Sequence, residues 1–118
     1  MYRQNFAQVV SQAAIHLHNE MGSIGTALYD SEAGLVFNNN VLRYVDESTL
    51  ARLVSDCFAE CVPGRLTRRN LDGVMVRALS LDDQHVFIVV GNRLEDSAIN
   101  RFFASLQGVL PQPPALAD

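Results

Sequence analysis

The sequence predicts an α+β fold, an α/β sandwich in which helices cover the faces of an antiparallel meander sheet. Three observations predict it. Three segments repeat apolar residues at helical spacing, short β-favouring runs alternate with turn residues, and the elements follow the order α-β-β-α-β-β-β-α. The chain has 118 residues, 48% of them apolar, which suits a single domain with one core. We expect that domain over residues 1–110 and a proline-rich flexible tail over residues 111–118.

The first helix is predicted over residues 6–21, where apolar residues recur every three or four positions. Gly22 predicts its end, because glycine readily adopts the left-handed conformation that follows many helices. The opposite face of this helix is polar and nearly uncharged, with Ile15 at its centre. That face is either a neutral solvent-exposed surface or a surface that contacts a partner.

A hairpin is predicted next, with strands over residues 24–29 and 35–37 joined by the turn at residues 30–34. The three asparagines at residues 38–40 tolerate turn conformations and predict the end of its second strand. The stretch VLRYV, residues 41–45, fits either a further short strand or a packed loop.

The second helix is predicted to start at Asp46, Glu47 and Ser48, which combine helix-capping side chains with acidic charge. Its apolar face carries the following residues: Leu50, Leu53, Val54, Cys57, Phe58 and Cys61. The pair Pro63-Gly64 predicts its end.

Two or three strands and a third helix complete the predicted domain. RLTRR, residues 65–69, suits a short strand, and residues 74–81 and 85–90 suit two further strands. The last of these is wholly apolar after His85, which is typical of a strand at the centre of a sheet. The third helix carries these apolar residues, and we expect it to cover one face of that strand: Ile99, Phe102, Phe103, Leu106, Val109 and Leu110.

Composition narrows the classes of function. The net charge is −4 and the pI is near 5.2, whereas a nucleic-acid-binding domain is expected to carry a basic surface. All nine basic residues are arginine, so no lysine is present to bind phosphate or form a Schiff base. No apolar run matches a signal peptide or a membrane span, so we expect a cytoplasmic protein. Arginine without lysine is typical of a GC-rich genome and favours a bacterial source.

Candidate metal ligands are few. Cys57 and Cys61 lie four positions apart on one face of the second helix, but structural zinc usually needs four ligands. His16 and His18 are the paired candidates, and on a helix they point in different directions. We therefore interpret both cysteines as buried core residues and expect no metal and no cofactor.

Candidate catalytic groups are equally weak. His85 follows Asp82 and could act as a general base, but no nucleophile motif lies near it, so an ordinary turn histidine is favoured. Asp30, Glu32 and Gly34 match a fragment of a calcium loop whose remaining ligand positions are missing. We expect that the protein is not an enzyme.

The one charge cluster is formed by Arg65, Arg68 and Arg69, just after the second helix. It is either a solvated patch or a contact for an acidic partner surface or a phosphate.

Three stretches, together with the last helix, resemble the roadblock/dynein light chain family. They are IGTALYDSEAGLVFNNN (residues 24–40), DESTLARLVSDCFAEC (residues 46–61) and LDGVMVRALSLDDQHVFIVVGN (residues 71–92). The likeness lies in the order of elements and in a hairpin that reads apolar run, Asp, turn, Gly, apolar run. It covers residues 6–110. The short, arginine-rich RLTRR departs from the family, which has a clear strand there.

This resemblance implies a single roadblock-like domain that is not an enzyme and forms a homodimer. In the family, the second helix and the following strand of two protomers join into one continuous sheet. Family members scaffold complexes or bind small Ras-like GTPases, and some bacterial members stimulate GTP hydrolysis. The resemblance implies a dimer or partner surface on the first helix and at these residues: Thr49, Arg52, Ser55, Asp56, Ala59, Arg65, Arg68 and Arg69.

A second hypothesis is a small acidic secretion chaperone of the type III kind, also cytosolic and dimeric. Those chaperones usually have three strands after the first helix and bind an extended segment of a secreted effector. Here two strands are clear unless residues 41–45 form a third. A third hypothesis, a ligand-sensing α/β domain, requires an internal polar pocket that the sequence does not reveal.

Overall fold

The computed structural model describes residues 2–22, 24–60, 62–71 and 73–106, and these residues form the predicted α+β fold. The elements, in chain order, are α1 (Tyr2–Met21), β1 (Ile24–Asp30), β2 (Gly34–Asn39), a 3-10 helix (Val41–Arg43), α2 (Glu47–Glu60), β3 (Leu66–Leu71), β4 (Val74–Ser80), β5 (His85–Gly91) and α3 (Asp96–Leu106). Cys61, Val109, Leu110 and the predicted tail lie outside the described residues.

The sheet is antiparallel throughout and has the strand order β2-β1-β5-β4-β3. Every residue of β5 is buried, which confirms its predicted place at the centre of the sheet. Within the described ranges, β2 and β3 form the two edges. The segment RLTRR therefore does contribute to a strand, and β3 pairs with β4 along its whole length.

Side chains of β5 divide the core between the two faces of the sheet. Phe87 and Val89 join a cluster with α1 and α3, whereas Val86, Ile88 and Val90 join a cluster with α2. This alternation follows from the two-residue repeat of a strand. The domain is thus a three-layer arrangement, with α1 and α3 on one side and α2 on the other.

The third helix covers one face of β5, as expected. The ring of Phe102 stacks on that of Phe87 with 4.5 Å between centroids, and Leu106 is buried in the same cluster. Phe103 packs against this cluster while remaining partly exposed.

Residues 41–45 form a packed segment and no strand. The 3-10 helix buries Val41 completely, and Val45 is buried beside it. The backbone N–H of Val41 donates to the side-chain oxygen of Asn38 at 3.0 Å. Gly25 lies beneath this segment, because a Cβ there would come within 2.9 Å of the Val41 nitrogen.

The predicted helix ends agree with the backbone. Gly22 has a φ of 80° and donates its N–H to the carbonyl of His18 at 2.8 Å. Gly64 has a φ of 84° and donates to the carbonyl of Ser80 at 2.7 Å, which ties the chain after α2 to the sheet. No described helix is both long and apolar enough to cross a membrane.

Candidate functional site along the second helix and third strand

The predicted surface lies on α2, and Asp46 stabilises the start of this helix. The carboxylate of Asp46 accepts hydrogen bonds from the hydroxyls of Ser48 at 2.6 Å and Thr49 at 2.9 Å. The backbone N–H of Thr49 donates to it as well, at 3.3 Å. These hydrogen bonds, that of Ser48 foremost, lower the pKa of Asp46 to about 2. Asp46 therefore stays ionised near neutral pH and caps α2 as the sequence predicts.

The predicted residues of α2 share its solvent side. Arg52, Ser55, Asp56 and Ala59 are exposed and Thr49 is half-buried, whereas the opposite side of the helix packs on the sheet. The packed side comprises Leu50, Leu53, Val54 and Cys57. The solvent side is thus small and polar, with one arginine and one aspartate on it.

Two open grooves connect this surface to β3. One, of about 230 Å³, lies between the C-terminal part of α2, including Asp56 and Glu60, and residues 65–69. The other, of about 260 Å³, brings Thr49 beside Asn70 and Leu71. The start of α2 therefore lies near the end of β3, and the two elements run antiparallel side by side.

The outer edge of β3 has no neighbouring strand in the described part of the chain. The N–H of Ser80 donates to the carbonyl of Arg65 at 3.0 Å, and hydrogen-bonded pairs alternate along an antiparallel ladder. The backbone groups of Leu66, Arg68 and Asn70 therefore point away from β4. One of these outward carbonyls, that of Arg68, accepts a hydrogen bond from the side chain of Arg69 at 2.8 Å.

The three arginines of the predicted cluster all border the groove beside α2, but their side chains have different partners. Arg65 precedes β3 and pairs with Glu60 at 2.6 Å. Arg68 faces the α3 side and binds Asp96 at 2.6 Å, whereas Arg69 faces the α2 side. Adjacent residues of a strand point to opposite faces, so proximity in sequence overstated their proximity in space.

Asp96, the first residue of α3, binds one arginine from β3 and one from β4. Its carboxylate accepts hydrogen bonds from the Nε of Arg77 at 2.8 Å and from the Nε of Arg68 at 2.6 Å. The bond from Arg77 is the main cause of a pKa of Asp96 below its ordinary value, partial burial opposes it, and Arg68 lowers it further. The charge of Arg68 is thereby compensated within the chain.

Cys57 is a core residue, as the sequence interpretation favoured. Its Sγ lies 3.9 Å from the hydroxyl of Thr67 on β3, and burial raises the pKa of the thiol. Among the described residues, no group of three or more His, Cys, Asp or Glu side chains is arranged to hold a metal ion.

His85 differs from the ordinary turn histidine that the sequence favoured. It is a buried strand residue whose Nδ1 lies 2.9 Å from Oδ1 of Asp82, while its Nε2 lies 3.3 Å from Oδ2 of Asp30. Its ring also packs against Phe6 of α1, with 4.5 Å between centroids. The spacing of Asp82 and His85 could have indicated the first contact. The second depends on the pairing of β1 with β5, which no local pattern reveals.

Asp30 is the last residue of β1, and its side chain binds the turn that follows, where the sequence matches a fragment of a calcium loop. Its Oδ1 accepts the backbone N–H groups of Glu32 at 2.7 Å and Ala33 at 3.1 Å. An apolar cavity of about 180 Å³ lies beside Asp30 and His85, bounded chiefly by the following residues: Phe6, Ala7, Leu28, Ala33 and Val36. This cavity is apolar, so it does not match the polar pocket that a ligand-sensing domain requires.

No family model matches the sequence, and no curated protein or solved structure matches it either.

Proposed function

We propose that the protein is a non-enzymatic, dimeric module of the roadblock/dynein light chain type. In this proposal it binds a small Ras-like GTPase or a larger complex in the bacterial cytoplasm and can modulate GTP hydrolysis. The observation that carries the proposal is the outer edge of β3, which has no neighbouring strand among the described residues and lies beside the solvent side of α2. The family resemblance implies dimerisation through these two elements.

The chemistry of the β3 edge supports strand pairing with a second subunit. Edge strands present unpaired backbone groups that can add a further strand, and the hydrogen bonds so formed contribute to affinity. Leu66, Arg68 and Asn70 direct such groups outward, as the ladder with β4 requires. Pairing at this edge would join the five strands that the described residues form to the same five of a second copy, which gives a sheet of ten.

Surface left free by such a dimer offers sites for a partner. On α1, Ile15 is 57% exposed on a face that is otherwise polar and nearly uncharged. The groove of about 200 Å³ between α1 and α3 lies beside that face. A folded partner such as a GTPase can contact this side without competing for β3.

The element order favours this proposal over the type III secretion chaperone. That hypothesis expects three strands between the first and second helices. The chain has β1, β2 and a 3-10 helix there, and its third strand follows α2. A chaperone of that kind would also bind an extended effector segment and no folded GTPase.

The first experiment measures the mass of the purified protein by light scattering. We expect twice the chain mass of 13.0 kDa. Asn70→Pro removes an outward N–H without breaking the ladder to β4, because proline is tolerated on an edge strand when its nitrogen faces solvent. We expect this variant to be folded by circular dichroism and monomeric. The matched control is Asn70→Ala, which keeps the N–H and should remain dimeric.

The second experiment identifies the partner. The tagged protein is used for a pull-down from its native host, and a recovered GTPase is then tested for binding in its GDP and GTP-analogue states. Recovery of a small Ras-like GTPase that binds the purified protein supports the proposal. A monomeric wild-type protein, or recovery of a secreted effector in place of a GTPase, would refute it.

A further inference from the structure

We infer that the two-fold axis of the proposed dimer sets Arg52 of each copy opposite Asp56 of the other. This inference rests on the proposed dimerisation through α2 and β3. It adds the feature of α2 that favours a second copy as the partner, which is a self-complementary pair of charges.

The first support is that both charges are free to pair between subunits. Arg52 and Asp56 are exposed on the solvent side of α2, and neither takes part in an ion pair between described residues. Other exposed arginines, such as Arg65 and Arg101, do have acidic partners. An arginine placed four positions before an acid is also the less favourable order for pairing within one helix.

The second support is the position of the axis. Thr49 lies beside Asn70 and Leu71 at the end of β3, and the midpoint of that strand is about two residues back. Two residues of strand span about 7 Å, which corresponds to four or five residues of helix. A two-fold axis through the midpoint of β3 therefore passes α2 near Leu53 or Val54. Rotation about an axis at Val54 exchanges the positions of residues 52 and 56.

The third support concerns repulsion at the strand itself. A two-fold pairing centred on β3 brings Arg68 of one copy close to Arg68 of the other, and like charges that face each other destabilise a sheet. Here each Arg68 is bound to Asp96 of its own chain at 2.6 Å. The charge of Arg68 is therefore already compensated.

Small side chains complete the fit of the helix surface. Ser55 and Ala59 flank the two charges on the solvent side, so the helices of two copies can approach closely. A two-fold interface uses the same patch twice, which turns one complementary pair into two. A chain with an unrelated surface would not offer this double match.

The experiment exchanges the charges. Arg52→Asp makes both positions acidic and Asp56→Arg makes both basic, so each variant opposes like charges at two places across the axis. We expect each single variant to weaken dimerisation by at least about tenfold at low salt. The double variant Arg52→Asp/Asp56→Arg restores complementarity, and we expect its dissociation constant within about threefold of wild type. Arg93→Asp, at an exposed arginine between β5 and α3, is the matched control and should leave dimerisation unchanged.

Mixing provides the decisive measurement. The two single variants should form a mixed dimer when combined in equal amounts, because one supplies two acids and the other two bases. Native mass spectrometry distinguishes that species from either homodimer, and circular dichroism verifies that each variant is folded. A wild-type dimer that survives both single changes would overturn the inference and leave the proposed function standing. Single variants that are monomeric and form no mixed dimer would also overturn it, whereas a monomeric wild-type protein refutes the proposed function itself.

Discussion

Nδ1 of His85 lies 2.9 Å from Oδ1 and 3.1 Å from Oδ2 of Asp82, and the His85 side chain is only 6% exposed. The same Asp82 carboxylate accepts the backbone N–H groups of Gln84 and His85, each at 2.8 Å. Burial opposes ionisation of this carboxyl, but the hydrogen bonds from the His85 ring and from Gln84 outweigh it. The pKa of Asp82 therefore lies below its ordinary value. The β4–β5 turn thus depends on an ionised aspartate.

The first prediction concerns the pH dependence of this contact. A carboxyl whose pKa is lower in the folded state stabilises the fold above its unfolded pKa, about 4, and this contribution is lost as the pH falls through the folded pKa. We expect Asp82→Asn to lower the free energy of unfolding by about 1–3 kcal/mol at pH 7, because charge-assisted hydrogen bonds are lost. Urea unfolding at pH 7 and at pH 3 measures the difference. Asp83→Asn, at the exposed neighbour, is the control and should have little effect. If Asp82→Asn lowers the free energy of unfolding equally at pH 7 and at pH 3, the stabilisation does not come from the ionised Asp82 carboxylate.

The second prediction concerns the packing of α3 on the sheet. Phe102 is 6% exposed and stacks on Phe87, so Phe102→Ala should cost roughly 3–5 kcal/mol of unfolding free energy. Phe103→Ala should cost less, because that ring is partly exposed and packs at the margin of the cluster. Urea denaturation of both variants provides the comparison. Stability within about 0.5 kcal/mol of wild type at both positions would contradict this position of α3.

Most of the fold could be predicted because its signals are local. The spacing of apolar residues on α1 and the capping residues at Asp46 determine where helices form, and the apolar run after His85 determines the central strand. Residues 41–45 could not be decided, because their 3-10 conformation depends on burying Val41 against the sheet. Such contacts between distant elements leave no periodic pattern in the sequence.

The candidate site was harder to predict for the same reason. The residues of α2 fall on its solvent side as expected, since a helix face follows directly from spacing. The sequence groups Arg68 with Arg69 because they are adjacent, yet strand alternation directs their side chains to opposite faces of the sheet. The contact of His85 with Asp30 arises from the register of β1 on β5, which is a tertiary property.

The third prediction concerns close packing at Gly25. A Cβ at this position would lie 2.9 Å from the backbone carbon of Asn40, the backbone nitrogen of Val41 and a methyl group of Val90. Backbone atoms cannot move aside cheaply, so Gly25→Ala should cost about 3 kcal/mol, at the upper end of overpacking. Gly22→Ala is the control. Its Cβ would meet no atom within 4 Å, and its positive φ alone should cost about 1 kcal/mol. Thermal and urea unfolding should rank the two variants in that order, and a reversed order would contradict the packing argument.

The fourth prediction concerns the thiols. We expect Cys57 to be a packing residue and the protein to contain less than about 0.1 zinc per chain, against one for a filled structural site. In a Cys61→Ser background, Cys57 should react with a thiol reagent at least about tenfold more slowly in the folded protein than in urea, because the buried thiol has a raised pKa. Elemental analysis and a reagent time course measure the two quantities. Stoichiometric zinc that disappears in Cys61→Ser would overturn the packing interpretation.

The fifth prediction concerns the arginines around β3 and the proposed acidic partner. Charges at the margin of an interface chiefly affect the association rate. Replacement of Arg65, Arg68 and Arg69 by Glu should slow association with the recovered GTPase at least about tenfold at low salt, and much less at high salt, since exposed charges are screened within about 10 Å at 0.1 M.

Arg69→Glu alone should account for much of that slowing. Arg65 is already paired with Glu60, and Arg68 with Asp96. Arg69, in contrast, binds only a backbone carbonyl among the described residues. Stopped-flow association at two salt concentrations tests this, and light scattering on the same samples is the control for dimerisation. Arg68 lies at the centre of the proposed β3 pairing, so a monomeric triple variant would mean that the arginines act in the subunit interface, and the idea that they contact an acidic partner would fall. If association and dimerisation both stay at wild-type values, the arginines are only a solvated surface and the GTPase binds elsewhere. The next surface to mutate is then the exposed side of α1 around Ile15.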